Sequence, residues 1–313
     1  MNFIIDTDMG IDDAVALLMV LGHPQASITA ITTVRGNISL SQATLNAGVV
    51  LDTAAAPPLP IFAGCARSLL GHEPDFASEI HGPDGLGGAG RPHTSRPPAG
   101  EHASLAMVRL ARQSDQPLTL LTLGPLTNVA LALHLDPDFF KHLDRLVIMG
   151  GAIDARGNTT PPTEFNIGAD PEAAQVVFSA CRDVPGGAWL VSWETSVAEA
   201  VPFETWDRLV QGDTPQAGFV RQMGNHLKQA MAAFNLPVLI WPDPLAAAVA
   251  LEPDIVTAEE HRFVEVETGH GPARGQTIVD YRPLSDNIPN LHLVRGVDKP
   301  AFTRLLGLAA GGR

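Results

Sequence analysis

Asn2-Phe3-Ile4-Ile5-Asp6-Thr7-Asp8-Met9-Gly10-Ile11-Asp12-Asp13-Ala14-Val15-Ala16-Leu17-Leu18-Met19-Val20-Leu21-Gly22 decides how this chain folds. Phe3-Ile4-Ile5 is a short apolar run that reads as a buried strand, and Ala14–Leu21 reads as an amphipathic helix that Gly22 can end. Four aspartates (Asp6, Asp8, Asp12 and Asp13) therefore sit on a tight strand-to-helix turn, where Gly10 is expected to supply an unusual backbone angle. Carboxylates this close repel one another. A hard divalent cation relieves that repulsion most simply, and all-oxygen ligands favour calcium or magnesium. Helix capping explains only part of the cluster. One aspartate at the N-cap and one in the first turn would suffice, which leaves Asp6 and Asp8 over.

Outward from this turn the chain alternates strand and helix. The apolar and turn patterns predict strands at Asn2–Ile5, Ile28–Val34, Leu118–Leu123, Arg145–Met149 and Ala188–Ser192. They predict helices at Asp12–Leu21, Leu40–Ala54, Ala103–Gln113, Leu126–Leu135, Pro171–Ala180, Phe219–Ala232 and Pro244–Leu251. Ile28–Val34 and Leu118–Leu123 are nearly unbroken apolar runs, as in a parallel sheet covered on both faces. The expectation is one α/β domain over residues 1–313, an open and mostly parallel sheet flanked by helices. Arg262–Glu267 and Thr277–Asp280 are expected to close one edge. Gly71–His102 is rich in Gly, Pro and His and has no hydrophobic period. A long irregular stretch of this kind is functional or disordered. Residues 71–102 are read as a mobile active-site loop around His81-Gly82-Pro83-Asp84-Gly85-Leu86-Gly87, with Gly88–Gly100 read more simply as a disordered surface insert.

Composition narrows the function classes. At 313 residues, 45% of them hydrophobic, the chain can bury a sizeable core, and no apolar run approaches a membrane span. The N-terminus lacks a basic region, which argues against a signal peptide. Two cysteines, Cys65 and Cys181, with no C-x-x-C, disfavour disulfide scaffolding and thiolate zinc sites and fit a reducing cytoplasm. A net charge of −14, from 20 basic and 34 acidic residues, argues against nucleic acid or anionic membrane as a partner. A small neutral substrate is compatible with it.

Two acidic motifs can be tested against the turn. An EF-hand counted from Asp6 would need glycine where Ile11 stands and glutamate where Leu17 stands, so it fails. A phosphatase of the haloacid dehalogenase type would want threonine or valine where Gly10 stands, and a downstream lysine, of which there are only Lys141, Lys228 and Lys299. It is kept as an alternative. Further polar groups follow other apolar strands: Arg35-Gly36-Asn37, Gly124-Pro125-Leu126-Thr127-Asn128 and Met149-Gly150-Gly151. Ligands of open α/β sheets bind beyond the carboxyl ends of strands, so these segments can converge on one site. Asn158, Glu164 and Asn166 form another group, suited to a polyhydroxyl ligand by their varied donors and acceptors, although simple loop capping reads equally well. Asp243, in Trp241-Pro242-Asp243-Pro244, reads by itself as the N-cap of Leu245–Leu251.

Together these segments resemble the nucleoside hydrolases, the inosine-uridine-preferring nucleoside N-ribohydrolases. Asp6-Thr7-Asp8-Met9-Gly10-Ile11-Asp12-Asp13 is similar to their D-x-D-x-G-x-D-D signature. Gly36-Asn37, Leu123-Gly124-Pro125-Leu126-Thr127-Asn128, Met149-Gly150-Gly151, Glu164-Phe165-Asn166 and Asp243 resemble family motifs in family order, from about Asn2 to Asp280. The resemblance implies a Rossmann-like nucleoside hydrolase fold and one calcium ion per subunit, held by Asp8, Asp13, the backbone carbonyl of Leu123 and Asp243. It implies Asp8 as general base on a water bound to that ion. Asp12, Asn158, Glu164 and Asn166 would grip the ribose hydroxyls, with Asn166 also counted as catalytic, Asn37 supporting the pocket and Asp6 standing behind it. The implied reaction splits a ribonucleoside into ribose and free base.

Activation of the leaving base is the open point. One branch of the family has histidine immediately before the late aspartate and another has tryptophan, whereas this chain has Pro242. His81 and His226 are candidate donors, each also readable as a surface histidine. Trp241 or Trp193 could contact the base or simply pack in the core. Hydrolysis of a modified or non-nucleoside riboside, or calcium-dependent binding of a nucleoside or ribose without turnover, are the alternatives. The resemblance also implies a homodimer or homotetramer.

Overall fold

The computed structural model describes residues 1–72 and 76–311. In chain order the elements are β1 (Asn2–Thr7), α1 (Ile11–Gly22), β2 (Ser27–Thr33), α2 (Leu40–Thr53), β3 (Ile61–Ala63), α3 (Ser78–His81), α4 (Ala103–Gln113), β4 (Leu118–Thr122), α5 (Thr127–Leu135), β5 (Arg145–Met149), α6 (Phe165–Ala169), α7 (Pro171–Ala180) and β6 (Ala188–Val191). They continue with α8 (Trp193–Ala198), β7 (Val201–Pro202), α9 (Phe203–Leu209), α10 (Pro215–Ala233), β8 (Val238–Leu239), α11 (Pro242–Leu251), β9 (Val256–Arg262), β10 (Val264–Val266), β11 (Thr277–Val279), β12 (Leu291–Val297) and α12 (Lys299–Gly307).

One eight-stranded sheet runs β3-β2-β1-β4-β5-β6-β12-β9. Every neighbouring pair is parallel except β12 with β9. The strand order reverses beside β1, whose two neighbours are β2 and β4. Such a switch point opens a crevice at the carboxyl ends of the strands, where ligands of doubly wound sheets bind. β1 and β4 are buried along nearly their whole length, because helices cover both faces. On one face α1 packs against α11, and both are almost wholly apolar and buried. On the other, α4, α5 and α7 enclose a second cluster around Phe139, Phe140 and Phe178.

The late strands differ from expectation. β10 and β11 pair only with each other, as a separate antiparallel ladder, and close no edge of the large sheet. That edge is β9, which carries Glu259, Glu260, His261 and Arg262 and faces solvent along much of its length. Charge is what keeps an exposed edge strand from pairing with other chains, and the same charge hides the strand from a search for apolar runs.

The segment from Phe76 to His102 is built onto the domain. The Asp84 carboxylate accepts the N–H groups of Leu86, Gly88 and Gly90. Asn46 of α2 donates to the Asp84 carbonyl at 2.8 Å. Farther along, Thr94, Ser95 and Arg96 all bond the Asp52 carboxylate at the end of α2. α3, with Ile80 and His81, lines the crevice and packs against α10.

Candidate active site

The turn between β1 and α1 places the aspartates. Met9, rather than Gly10, takes the left-handed backbone, with φ 46°. Gly10 has an ordinary extended φ of −81°. Glycine stands there for space, since a Cβ would lie 2.6 Å from His81 Nδ1 and 2.8 Å from Asn37 Nδ2. A left-handed non-glycine residue stores of order 1–3 kcal/mol of strain. The surrounding bonds hold it: the Met9 N–H donates to Thr7 Oγ1 at 3.0 Å, and the Gly10 N–H donates to Asp13 Oδ2 at 2.7 Å.

Asp13 is the hub of the cluster. It accepts from Thr7 Oγ1 at 2.5 Å, and its charge pushes both Asp8 and Asp243 upward. Asp8 accepts the Asn37 N–H at 2.6 Å and Asn37 Nδ2 at 3.2 Å. Gly36 makes this approach possible, because a methyl group there would overlap the Asp8 carboxylate. Asp243 lies in the first turn of α11, behind Trp241 as N-cap, and is buried. It is therefore no cap, as its sequence setting alone had suggested. Its carboxylate turns toward the β1–α1 turn, where Asp12, Asp13 and Asp243 bring one oxygen each within 4.8 Å of one another.

Burial dominates the electrostatics, because each ion leaves water for a low-dielectric interior. It lifts Asp8 and Asp243 well above the usual carboxylate range, and the neighbouring aspartates push further in the same direction. Asp13 is raised by burial and by the charge of Asp12. Burial pushes Asp12 up to about 6. Behind the cluster, Asp6 is pushed up to about 7 by burial, against bonds from Asn128 Nδ2 and Thr32 Oγ1 that favour its charge. Buried like charges persist only where something compensates them. Among the described residues that line the crevice there is no lysine or arginine.

The crevice is a cavity of about 400 Å³ above this floor. Asp12, Asn37, Leu123, Asn158, Glu164, Asn166 and Asp243 line it, so seven of the residues named from the sequence converge there. Asp8 and Asp13 lie just beneath, fully buried. Glu164 caps α6 and is fixed by the N–H groups of Gly151, Asn166 and Ile167, which partly offset its upward shift from burial. Asn166 Nδ2 donates to the Leu123 carbonyl at 2.8 Å, so two residues expected to act on different partners touch each other. Asn158 Oδ1 accepts the Phe165 N–H at 2.9 Å.

His81 also lines the cavity and is buried. Its Nδ1 accepts the Ile11 N–H at 3.0 Å, which places its proton on Nε2. Burial lowers it to about 4, against the pull of Asp13, so it is a neutral donor near neutral pH. His226 is on α10 outside the cavity lining, with its Nε2 buried and unpartnered. Trp241 is fully buried and packs on Trp206 with ring centroids 4.6 Å apart, so it is a core aromatic. Trp193 is the tryptophan that reaches the cavity. Sequence reasoning passed over Asn128, whose amide joins Asp6, the Thr33 carbonyl and the Cys65 N–H across three strand ends. It also passed over the apolar wall of Leu227, Met231, Phe234 and Ile240. Asn128 stands within a motif already noted, whereas Leu227 and Met231 have the spacing of any buried helix face.

This geometry agrees with comparisons to known proteins. The family model for inosine-uridine preferring nucleoside hydrolase matches residues 3–304. The chain belongs to the inosine-uridine preferring nucleoside hydrolase family. It is a nucleoside N-ribohydrolase. The chain is 35% identical over 308 residues to the pyrimidine-specific ribonucleoside hydrolase RihA of Salmonella enteritidis PT4, covering 97% of this chain and 96% of that one. Among solved structures, an inosine-guanosine nucleoside hydrolase superposes with a TM-score of 0.91 at 31% identity, covering 100% of this chain and 99% of the other. A purine-preferring ribonucleoside hydrolase from Gardnerella vaginalis superposes with a TM-score of 0.89 at 27% identity, with both chains fully covered. The relatives' names differ in the base they take, pyrimidine for one and purine for others.

Proposed function

We propose that this nucleoside hydrolase cleaves the N-glycosidic bond of ribonucleosides in a calcium-dependent reaction, with Asp8 as general base. The carrying observation is the buried carboxylate cluster: Asp12, Asp13 and Asp243 bring oxygens within 4.8 Å of one another from two distant segments, with Asp8 buried beneath the same cavity and no lysine or arginine lining it among the described residues. The donor set fits a hard cation, being all oxygen, and Asp12 Oδ1 is buried with no hydrogen-bond partner. Asp8, Asp13, the Leu123 carbonyl and Asp243 would hold calcium, with Asp12 near enough to share it. Bound there, calcium would lower the pKa of a water molecule and orient it.

The protein's own groups carry the rest. Asp8, fixed by Asn37, accepts the proton of the attacking water as that water adds to C1′. The C1′–N bond breaks with its electron pair going to the base. The ring passes through an oxocarbenium-like state whose positive charge the acidic floor stabilises. Asp12, Asn158, Glu164 and Asn166 bind the ribose hydroxyls, and this binding energy holds the ring in a reactive geometry. His81, with its proton on Nε2, lines the cavity and would donate a hydrogen bond to the departing base, which keeps the electron pair of the broken bond.

The test is ribose release from inosine, adenosine, guanosine, uridine and cytidine, with calcium and with a chelator, alongside Asp8→Ala. Calcium-dependent release that falls about 10²–10⁴-fold in Asp8→Ala is the expected result. Calcium should also raise the unfolding temperature of the wild-type protein by mass action. Release that persists in chelator, or that survives in Asp8→Ala, would overturn the proposal.

A further inference from the structure

The loop from β5 to α6 brings Asn158 and Glu164 to the cavity and holds them in different ways. Glu164 is buried and pinned by three N–H groups. Asn158 is exposed. Its Oδ1 accepts the Phe165 N–H at 2.9 Å and the Thr159 hydroxyl at 3.2 Å, so its amide NH2 is the end able to donate to a ligand. An exposed group binds a sugar without a large ordering cost only if its backbone is already in place. The far half of the loop folds on itself: the Gly157 N–H donates to the Pro161 carbonyl at 2.7 Å, and the Asn158 N–H to the Thr163 carbonyl at 3.1 Å. The near half, residues 153–156, has one bond of this kind, from the Ala155 N–H to the Ala152 carbonyl, and is held chiefly from outside.

Glu194 does that holding. It sits half-buried in the first turn of α8, and its carboxylate accepts the N–H groups of Ile153 at 3.1 Å, Asp154 at 2.9 Å and Arg156 at 3.1 Å. Ala155, among them, takes the left-handed backbone with φ 57°. Backbone N–H groups gathered around such a residue form a concavity that binds anions, and here a side chain of the same protein fills it. The adjacent Trp193 lines the cavity, and its N–H donates to the Gly151 carbonyl at 3.0 Å, so α8 fastens the loop at two points. Asp154 also pairs with Arg295 of β12 at 2.9 Å, but Asp154 is 46% exposed and exposed ion pairs contribute little. Three charge-assisted hydrogen bonds to one carboxylate outweigh that pair. Glu194 is not part of the cavity lining, so it reaches a ligand only through the loop.

Resting on the reading above that Asn158 binds ribose, we propose that Glu194 is a positioning residue for the sugar. Its carboxylate fixes the 153–156 turn, and the turn sets where the Asn158 amide meets the ribose hydroxyls. Glu194 acts wholly through Asn158 and touches no substrate.

A double-mutant cycle tests this, with kcat/KM measured on the best nucleoside and referred to the folded fraction seen in a thermal melt. Glu194→Gln keeps the shape of the side chain but turns one acceptor oxygen into an NH2 group that faces backbone donors. It should lower kcat/KM about tenfold, the scale of one lost hydrogen bond to a charged group. In an Asn158→Ala background the same substitution should change kcat/KM less than about twofold, because residues that act through one another are not additive. Glu194→Asp, which keeps the charge on a side chain one carbon shorter, supplies the cycle should the glutamine variant fail to fold. A role confined to holding the fold would give the same loss in both backgrounds, and that result, or no loss in either, would overturn the assignment of Glu194. An Asn158→Ala variant as active as the wild type would instead remove Asn158 from the ribose site, and Glu194 with it.

Discussion

The floor and the wall of this cavity are made by different rules. On the floor three carboxylates are pinned by named donors: Asp8 by Asn37, Asp13 by Thr7 and Gly10, Glu164 by three backbone N–H groups. The wall is held by packing alone, with side chains that interchange readily. Buried polar clusters demand full satisfaction and fixed geometry, whereas apolar surfaces tolerate volume-conserving exchange. The floor should therefore fail at a single added carbon, and the wall should absorb larger changes.

Gly36→Ala tests that claim with the largest expected effect. The new methyl would overlap the Asp8 carboxylate. The carboxylate must shift or the β2–α2 link must move, and either change misplaces the proposed base. A misplacement of about 1 Å can cost 10²-fold in rate, so kcat/KM on the best nucleoside should fall at least about a hundredfold while far-ultraviolet circular dichroism stays native. Activity within about threefold of wild type would mean the floor is softer than its hydrogen bonds imply.

The same contrast explains what the sequence disclosed. β1, the aspartate turn, α4, β5 and α7 were legible because apolar period, turn residues and caps all agree there. The floor residues were legible because several polar motifs follow strand ends and together match the family's motifs in order, although each alone reads equally well as a cap or turn. Asp243 was ambiguous, since an aspartate before Pro244 and an apolar helix looks like a cap, and only the packing of α11 against α1 turns it inward. The wall was illegible: Leu227 and Met231 obey the spacing of any buried helix face, and Phe234 and Leu236 acquire meaning only from the crevice beside them. β9 is silent in the sequence because its charges suit a solvent-facing edge, and β12 because His292, Arg295 and Gly296 interrupt its apolar run. Gly10 was credited with a backbone angle that Met9 adopts, because bonds from Thr7 and Asn46 around that turn override the local preference.

An intermediate effect is expected from Asn128→Ala, which leaves the floor's own residues untouched. Asn128 orients Asp6 and ties it to the β2 and β3 ends. Groups that touch a metal ligand typically contribute 10–100-fold in metal affinity or activity, and Asn128, which reaches the cluster only through Asp6, should fall at the low end of that range. A calcium titration by calorimetry should show weakening in that range. Unchanged affinity would confine Asn128 to holding the strands and would narrow the pinned region to the residues that touch the cavity.

Met231→Leu probes the wall and should do least. Met231 is nearly buried on α10 and faces the cavity beside Leu227. Its unbranched thioether fills irregular space without a specific bond, and leucine offers similar volume and equal apolarity. Such exchanges usually cost less than about 1.5 kcal/mol in stability. The unfolding temperature should drop by no more than a few degrees, and kcat/KM on unmodified nucleosides should stay within about threefold, as steady-state kinetics and a thermal melt would show. A hundredfold loss would mean that the wall is specified as tightly as the floor, with shape doing there what hydrogen bonds do below, and the division between the two halves would no longer hold.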